Sequence, residues 1–212
     1  MVLERGFLAQ PFGNYWPHSP KVESKIASYE FKIGKAIVRL TQGDITEMAT
    51  DVVVNAGNPT LMGGGGVDGA IHRKGGPRIL EECKSIRAVE YPTGLPTGKA
   101  VMTNAGNLKA EKVVHTVGPI WHGGNEGEPE LLKQAYINSL MLTIENGFRR
   151  VAFPSISTGA YGYPIELASR IALNTVKEFL SSEDKLDEVV LILFKSRDLE
   201  LYRAAAVEIL QT

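Results

Sequence analysis

Two stretches of this sequence have no wet face. Val52-Val53-Val54 and Val189-Val190-Leu191-Ile192-Leu193-Phe194 are apolar at every position, whereas a strand with one solvated face alternates apolar and polar residues. Such runs need cover on both sides. Amphipathic stretches with apolar positions three and four apart supply it, and they predict helices over residues 66–74, 77–87, 129–146, 164–180 and 196–210. Pro129 and Pro164 stand where a helix would begin, a position whose N–H has no partner to lose. Asn146-Gly147 is a stop signal. Short β-branched runs predict strands over residues 29–33, 35–42, 51–56, 99–105, 112–117, 150–154 and 188–194. Strands alternating with helices give an α/β fold, a three-layer α/β/α sandwich. Its central sheet is mixed, because the turn between the first two strands is too short for a parallel crossover.

A chain of 212 residues is long enough for one domain that buries roughly 70% of its unfolded surface without disulfides or structural metal. The body of that domain is expected over residues 29–212. Residues 1–28 carry Phe7, Phe12, Tyr15 and Trp16 among Pro11, Pro17 and Pro20 in a spacing that fits neither helix nor strand. They predict an irregular arm whose aromatics cover apolar surface on the body or on a second subunit.

The 23 Lys and Arg nearly balance 24 Asp and Glu, for a net charge of −1, and the basic residues do not cluster. This argues against nucleic acid as a partner, since counterion release needs grouped cations. A local anion site stays open. The single cysteine, Cys83, excludes an intramolecular disulfide framework and a cysteine-based zinc cage, and reads as a small buried hydrophobe. No stretch approaches the ~20 apolar residues of a membrane helix, and the first residues lack a basic leader and an apolar run. A cytoplasmic protein with no membrane partner is the expectation.

In open α/β sheets ligands bind beyond the carboxyl ends of the strands, and two of the loops there are unusual. The first runs from Asn55 to His72 and holds four consecutive glycines, Gly63 to Gly66, directly before a helix. Consecutive N–H groups without Cβ atoms, followed by a helix N-terminus, make an anion cradle. No Lys-Ser or Lys-Thr follows the glycines and their spacing is not that of a dinucleotide fingerprint, which removes most support for ATP hydrolysis and Rossmann-type hydride transfer. The second loop, Ser155-Ile-Ser-Thr-Gly-Ala-Tyr-Gly-Tyr-Pro164, is again rich in glycine and hydroxyls. Together the two loops could grip the halves of one diphosphate.

Five segments in this order, Gln42-Gly-Asp-Ile-Thr46, Val54-Asn-Ala-Gly-Asn58, Gly63-Gly-Gly-Gly-Val-Asp-Gly-Ala-Ile-His72, Val114-His-Thr-Val-Gly-Pro119 and Pro154 to Pro164, give the chain its resemblance to the macrodomains. Within them it is most similar to the MacroD-like ADP-ribosyl hydrolases. The resemblance covers about residues 29–210 and leaves out only the arm. It implies an ADP-ribose pocket in which Asp44 accepts the adenine amine, the Ile45 N–H reaches a ring nitrogen, and Phe194 stacks on the base. Gly64, Gly65, Gly66 and Val67 on one side, with Ser157, Thr158, Gly159, Ala160 and Tyr161 on the other, would wrap the diphosphate through backbone N–H groups, so that no lysine or arginine is needed. Tyr161 would pack on the distal ribose and Asn58 would offer it a donor and an acceptor. Asn55 reads as structural. Gly57 stands where the family commonly has alanine, which would loosen the backbone near Asn58.

The acidic position tied to hydrolysis in that group matches Asp68. Its carboxylate would orient or deprotonate a water attacking the distal ribose or an ester carbonyl, unless a substrate phosphate takes the proton. Read from the residues alone, Asp44 can also cap a turn, Phe194 can lie in the core, and Asp68 can complement a helix dipole. His72, four residues after Asp68, is expected to hydrogen-bond that carboxylate. His115 reads as structural and, like His18 and His122, offers no recognisable third ligand for a catalytic zinc. Neither metal nor nucleotide cofactor is expected. Asn58 and Asp68 would thus serve removal of mono-ADP-ribose from acidic side chains of ADP-ribosylated proteins, or deacetylation of O-acetyl-ADP-ribose. A non-catalytic ADP-ribose reader and an ADP-ribose 1″-phosphate phosphatase are the competing readings.

Overall fold

The computed structural model describes residues 28–211. Seven strands in them form one sheet: β1 (Ser28–Ile33), β2 (Ala36–Gln42), β3 (Val52–Gly57), β4 (Ala100–Asn104), β5 (Lys112–Val117), β6 (Arg150–Pro154) and β7 (Glu188–Leu193). The helices are α1 (Gly66–Gly75), α2 (Pro77–Val89), α3 (Glu128–Glu145), α4 (Ile165–Ser182) and α5 (Ser196–Leu210), with one 3-10 turn at Ile45–Glu47. Ser28, assigned above to the arm, opens β1; the rest of the arm lies outside the described residues.

The strand order is β1-β2-β7-β6-β3-β5-β4. The five inner strands β2, β7, β6, β3 and β5 run parallel, while β1 and β4 pair antiparallel at the two edges. The short Gly34-Lys35 turn makes β1 antiparallel, as expected. The reversal of β4 rests on pairing that no local signal specifies.

Alternation of side chains across the pleat divides the apolar runs between two cores. Val52, Val54, Val189, Leu191 and Leu193 face α3, α4 and α5. Val53, Val190 and Ile192 face Ile71 of α1 and Ile79 and Cys83 of α2. This is the three-layer α/β/α sandwich read from the sequence, and it explains why these strands carry no polar face. Elsewhere the boundaries move by a residue or two. Pro164 caps α4 from outside its first turn, and Phe194 leaves the sheet, because the last ladder bond of β7 is the Gly43 N–H to the Leu193 carbonyl, 3.0 Å.

Phe153 is fully buried in β6, its ring centroid 5.1 Å from that of Tyr136. Phe153→Ala would remove that contact and leave a void just ahead of the Ser155 loop. A loss of about 3–5 kcal/mol is expected, measured as the change in urea-unfolding free energy at unchanged m-value.

Candidate functional site

Because the five inner strands run parallel, their carboxyl ends lie on one edge of the sheet, and the loops that follow enclose a cleft of about 890 Å³. Gly43 to Ile45 follow β2, Asn58 follows β3, Gly118 follows β5, Ser155 to Tyr161 follow β6, and Phe194 and Lys195 follow β7. Of the ligand-site residues expected from the sequence, only Gly64 does not line the cleft. It is exposed beside the cleft, and a Cβ there would lie 3.1 Å from both Asn58 Nδ2 and Asp68 Oδ2.

At one end, Asp44 caps the 3-10 turn. Its Oδ1 accepts the Thr46 N–H at 2.9 Å and the Thr46 hydroxyl at 2.7 Å, so turn capping and exposure to the cleft coexist in one carboxylate. Phe194 is 77% exposed there. An aromatic ring this open beside a cleft is a contact surface, and the alternative of a core residue falls away.

The middle of the cleft lies between the glycine loop and the Ser157 loop. Ser157 has φ of 67°, a strained region for a residue with a side chain, worth about 1–3 kcal/mol. Its neighbours hold it there: the Tyr163 N–H donates to its carbonyl at 3.0 Å, and a Cβ on Gly118 would collide with its Oγ. Across the cleft, a Cβ on Gly69 would collide with the Gly64 carbonyl oxygen, so helix α1 and the glycine loop can approach this closely only through glycine.

At the other end, Asp68 is buried in the first turn of α1. Asn55 Nδ2 donates to its Oδ1 at 2.7 Å and Asn58 Nδ2 to its Oδ2 at 3.2 Å. Asn58 also donates to the Gly63 carbonyl at 3.0 Å and accepts the Thr60 N–H at 3.0 Å and the Thr60 hydroxyl. The donor and acceptor expected to face a ribose are therefore engaged within the protein, tying Asp68 to the glycine loop. Tyr161 shares this end: burial, and then the charge of Asp68, push its hydroxyl pKa up. Gly57 does not loosen the backbone as expected. It is a strand residue in register with Val117, and the Cβ of an alanine would meet Asn55 Nδ2 at an ordinary 3.4 Å.

His72 Nε2 lies 3.5 Å from Asp68 Oδ1 but makes no hydrogen bond, so the expected bond gives way to close approach. Among the described residues, His72, Cys83 and His115 each bring a potential ligand atom within 4.8 Å of the others. This corrects the expectation that His72 has no third donor nearby: the pairing of β3 with β5 and the α1–α2 turn assemble what sequence spacing hides. Two of the three, His115 and Cys83, are otherwise engaged. Both ring nitrogens of His115 face hydrogen-bonding partners, Asn55 at 3.1 Å and Thr103 at 2.9 Å. Burial pushes the Cys83 thiol up to about 12.

Sequence reasoning passed over Arg73, Lys195 and Asp198 in the cleft wall. Arg73 was legible: Gly66, Ala70 and Arg73 share a face of α1 by helical spacing, and all three line the cleft. The others belong to the turn into α5, whose direction only the fold sets.

A Macro domain family model matches residues 54–172. The chain is 51% identical to the O-acetyl-ADP-ribose deacetylase of Citrobacter koseri, over 79% of this chain and 94% of that one. It superposes on the Oceanobacillus iheyensis macrodomain with ADP at a TM-score of 0.86 and 41% identity, covering 89% of this chain and 99% of that one. The Trypanosoma brucei macrodomain in complex with ADP-ribose is also similar, with a TM-score of 0.73 and 37% identity, covering 80% of this chain and 68% of the other.

Proposed function

The chain belongs to the macrodomain family, and from that premise we propose that it is an ADP-ribose-binding hydrolase acting on acyl esters of the distal ribose. Its substrates on this reading are O-acetyl-ADP-ribose and proteins carrying mono-ADP-ribose on acidic side chains. The observation that carries the reading is the buried Asp68 carboxylate, held by two amides at one end of a cleft whose middle is walled by glycine loops. The name of the Citrobacter koseri relative and the ADP and ADP-ribose in the two related structures support the same substrate class.

The adenine would lie between Asp44, Ile45 and Phe194, and the diphosphate between Gly65 to Val67 and Ser157 to Tyr161. The distal ribose then falls beside Asp68 and Tyr161. There a water oriented by Asp68 attacks the acyl carbonyl carbon. The C–O bond to the ribose breaks, the proton of the water passes to the departing ribose oxygen by way of Asp68 or a substrate phosphate, and a carboxylic acid is released. No step asks for a metal.

The test follows release of acetate from O-acetyl-ADP-ribose and of ADP-ribose from a glutamate-linked protein, with and without EDTA, beside calorimetric binding of ADP-ribose. Release that EDTA leaves unchanged is the expected result. Binding without release from either ester would leave a reader module. Phosphate release from ADP-ribose 1″-phosphate, in place of ester cleavage, would make it a phosphatase.

A further inference from the structure

His115 is fully buried on β5, lines no part of the cleft, and has no role in the reaction as described above. Its surroundings are nonetheless ordered with respect to protons. Strand pairing sets Asn55 directly beside His115 in the β3–β5 register. The Asn55 side chain places one nitrogen 2.7 Å from Asp68 Oδ1 and 3.1 Å from His115 Nδ1. Turning that amide over would set its oxygen against the carboxylate, acceptor against acceptor, so the carboxylate fixes the nitrogen in place. An amide nitrogen has two hydrogens and no lone pair to offer, and His115 Nδ1 must therefore accept. The ring proton then resides on Nε2, which faces the Thr103 hydroxyl oxygen at 2.9 Å, while that hydroxyl donates to the Asn104 carbonyl at 3.1 Å. Every donor in the chain from the Asn104 carbonyl to Asp68 finds an acceptor under one assignment.

We propose that His115 is a positioning residue for ester hydrolysis: its neutral Nε2–H tautomer locks Asn55 so that both amide hydrogens are directed, one at His115 and one at the reacting carboxylate. The proposal rests on the reading of Asp68 as the catalytic carboxylate. Without the acceptor at Nδ1 the amide is held by Asp68 alone, and the carboxylate loses the anchored donor that fixes its plane. Removing a partner that orients a metal ligand costs about 10- to 100-fold, and a comparable loss is expected for a reacting carboxylate oriented in the same way.

The groups facing the ring are Asn55 from β3, Thr103 from β4, His72 from α1, and Cys83 and Glu82 from α2. Burial first, and then His72, hold the imidazole pKa down at about 3, against a smaller opposing pull from Glu82. The ring thus stays neutral across the range in which the enzyme would work.

Two measurements on the full chain test this. Nitrogen-detected NMR of the histidine side chains in the wild type should give His115 protonated at Nε2, bare at Nδ1, and unchanged between about pH 5 and 8. A proton on Nδ1, or titration in that interval, overturns the proposal whatever the enzyme does. In kinetics, His115→Leu should lower kcat for O-acetyl-ADP-ribose by about 10- to 100-fold with ADP-ribose affinity kept. His115→Asn, whose Oδ1 stands near the place of Nδ1, should recover most of the loss. Equal kcat in wild type and both variants, or His115→Asn as slow as His115→Leu, would overturn it. If His115→Leu does not fold, the comparison of His115→Asn with wild type and the NMR result still decide. A wild type that binds ADP-ribose but cleaves no ester refutes the reading of Asp68 instead, and with it the kinetic half of the proposal, while the tautomer remains a separate result.

Discussion

Asp68→Ala is expected to slow ester hydrolysis by about 10²- to 10⁴-fold, the range for loss of a positioned acid or base, while ADP-ribose binds within about threefold of wild type. The split follows from where Asp68 sits. It shares its end of the cleft with Tyr161; of the groups assigned to adenine and diphosphate, Asp44, Ile45, Phe194 and the Ser157 loop hang from β2, β7 and β6, and only Gly65 to Val67 adjoin it. Asp68→Asn is the sharper variant. One of the two side-chain oxygens becomes an NH2 group that must face either Asn55 Nδ2 or Asn58 Nδ2, donor against donor. The isosteric change should therefore also be slow, and should not restore alanine's loss. Steady-state release of acetate, with calorimetric binding of ADP-ribose to each variant, checks both statements. Parallel losses of turnover and affinity would make Asp68 a binding residue.

Gly69→Ala should do the opposite and weaken binding first. Its new methyl would fall on the Gly64 carbonyl oxygen and within 2.9 Å of Arg73 Nη1. The guanidinium can swing away; the backbone carbonyl cannot move without dragging the glycine loop. Overpacking of this kind costs about 1–3 kcal/mol, and if the loop shifts, ADP-ribose affinity should fall by about tenfold or more. Gly65→Ala is the control for stability. A Cβ there meets nothing within 4 Å, so the free protein should melt as wild type does. Thermal melts and calorimetry of the two variants separate these effects. A Gly69→Ala protein with wild-type affinity would mean that the loop yields elsewhere and that its close approach to α1 is not what shapes the cleft.

Much of this was open to reading from the chain itself. The apolar runs of β3 and β7 demanded two covering layers because side chains leave a strand on alternate sides. The glycine run and the second loop declared themselves by residue type, since only residues without a Cβ allow such backbone approaches. Asp68 stood out by its match to the acidic position of the MacroD-like hydrolases, its place at a helix entrance being by itself only a complement to the dipole. These are local properties, carried by spacing and steric bulk over a few residues.

What surrounds Asp68 was settled elsewhere. Asn55 and His115 are 60 positions apart, and they meet because β3 pairs with β5 in a register that sets them side by side. Cys83 joins them only through the packing of α2 against the sheet. Phe194, set against adenine by the resemblance but continuous with a core run by periodicity alone, is exposed because the ladder ends one position earlier. Register, strand order and the point at which a ladder ends depend on hydrogen bonds between distant segments, and no local periodicity encodes them. Local spacing and steric bulk carried the layers and the loops, and a match of motifs carried the carboxylate; long-range strand pairing chose the amides that hold it and the neutral ring that stands behind them.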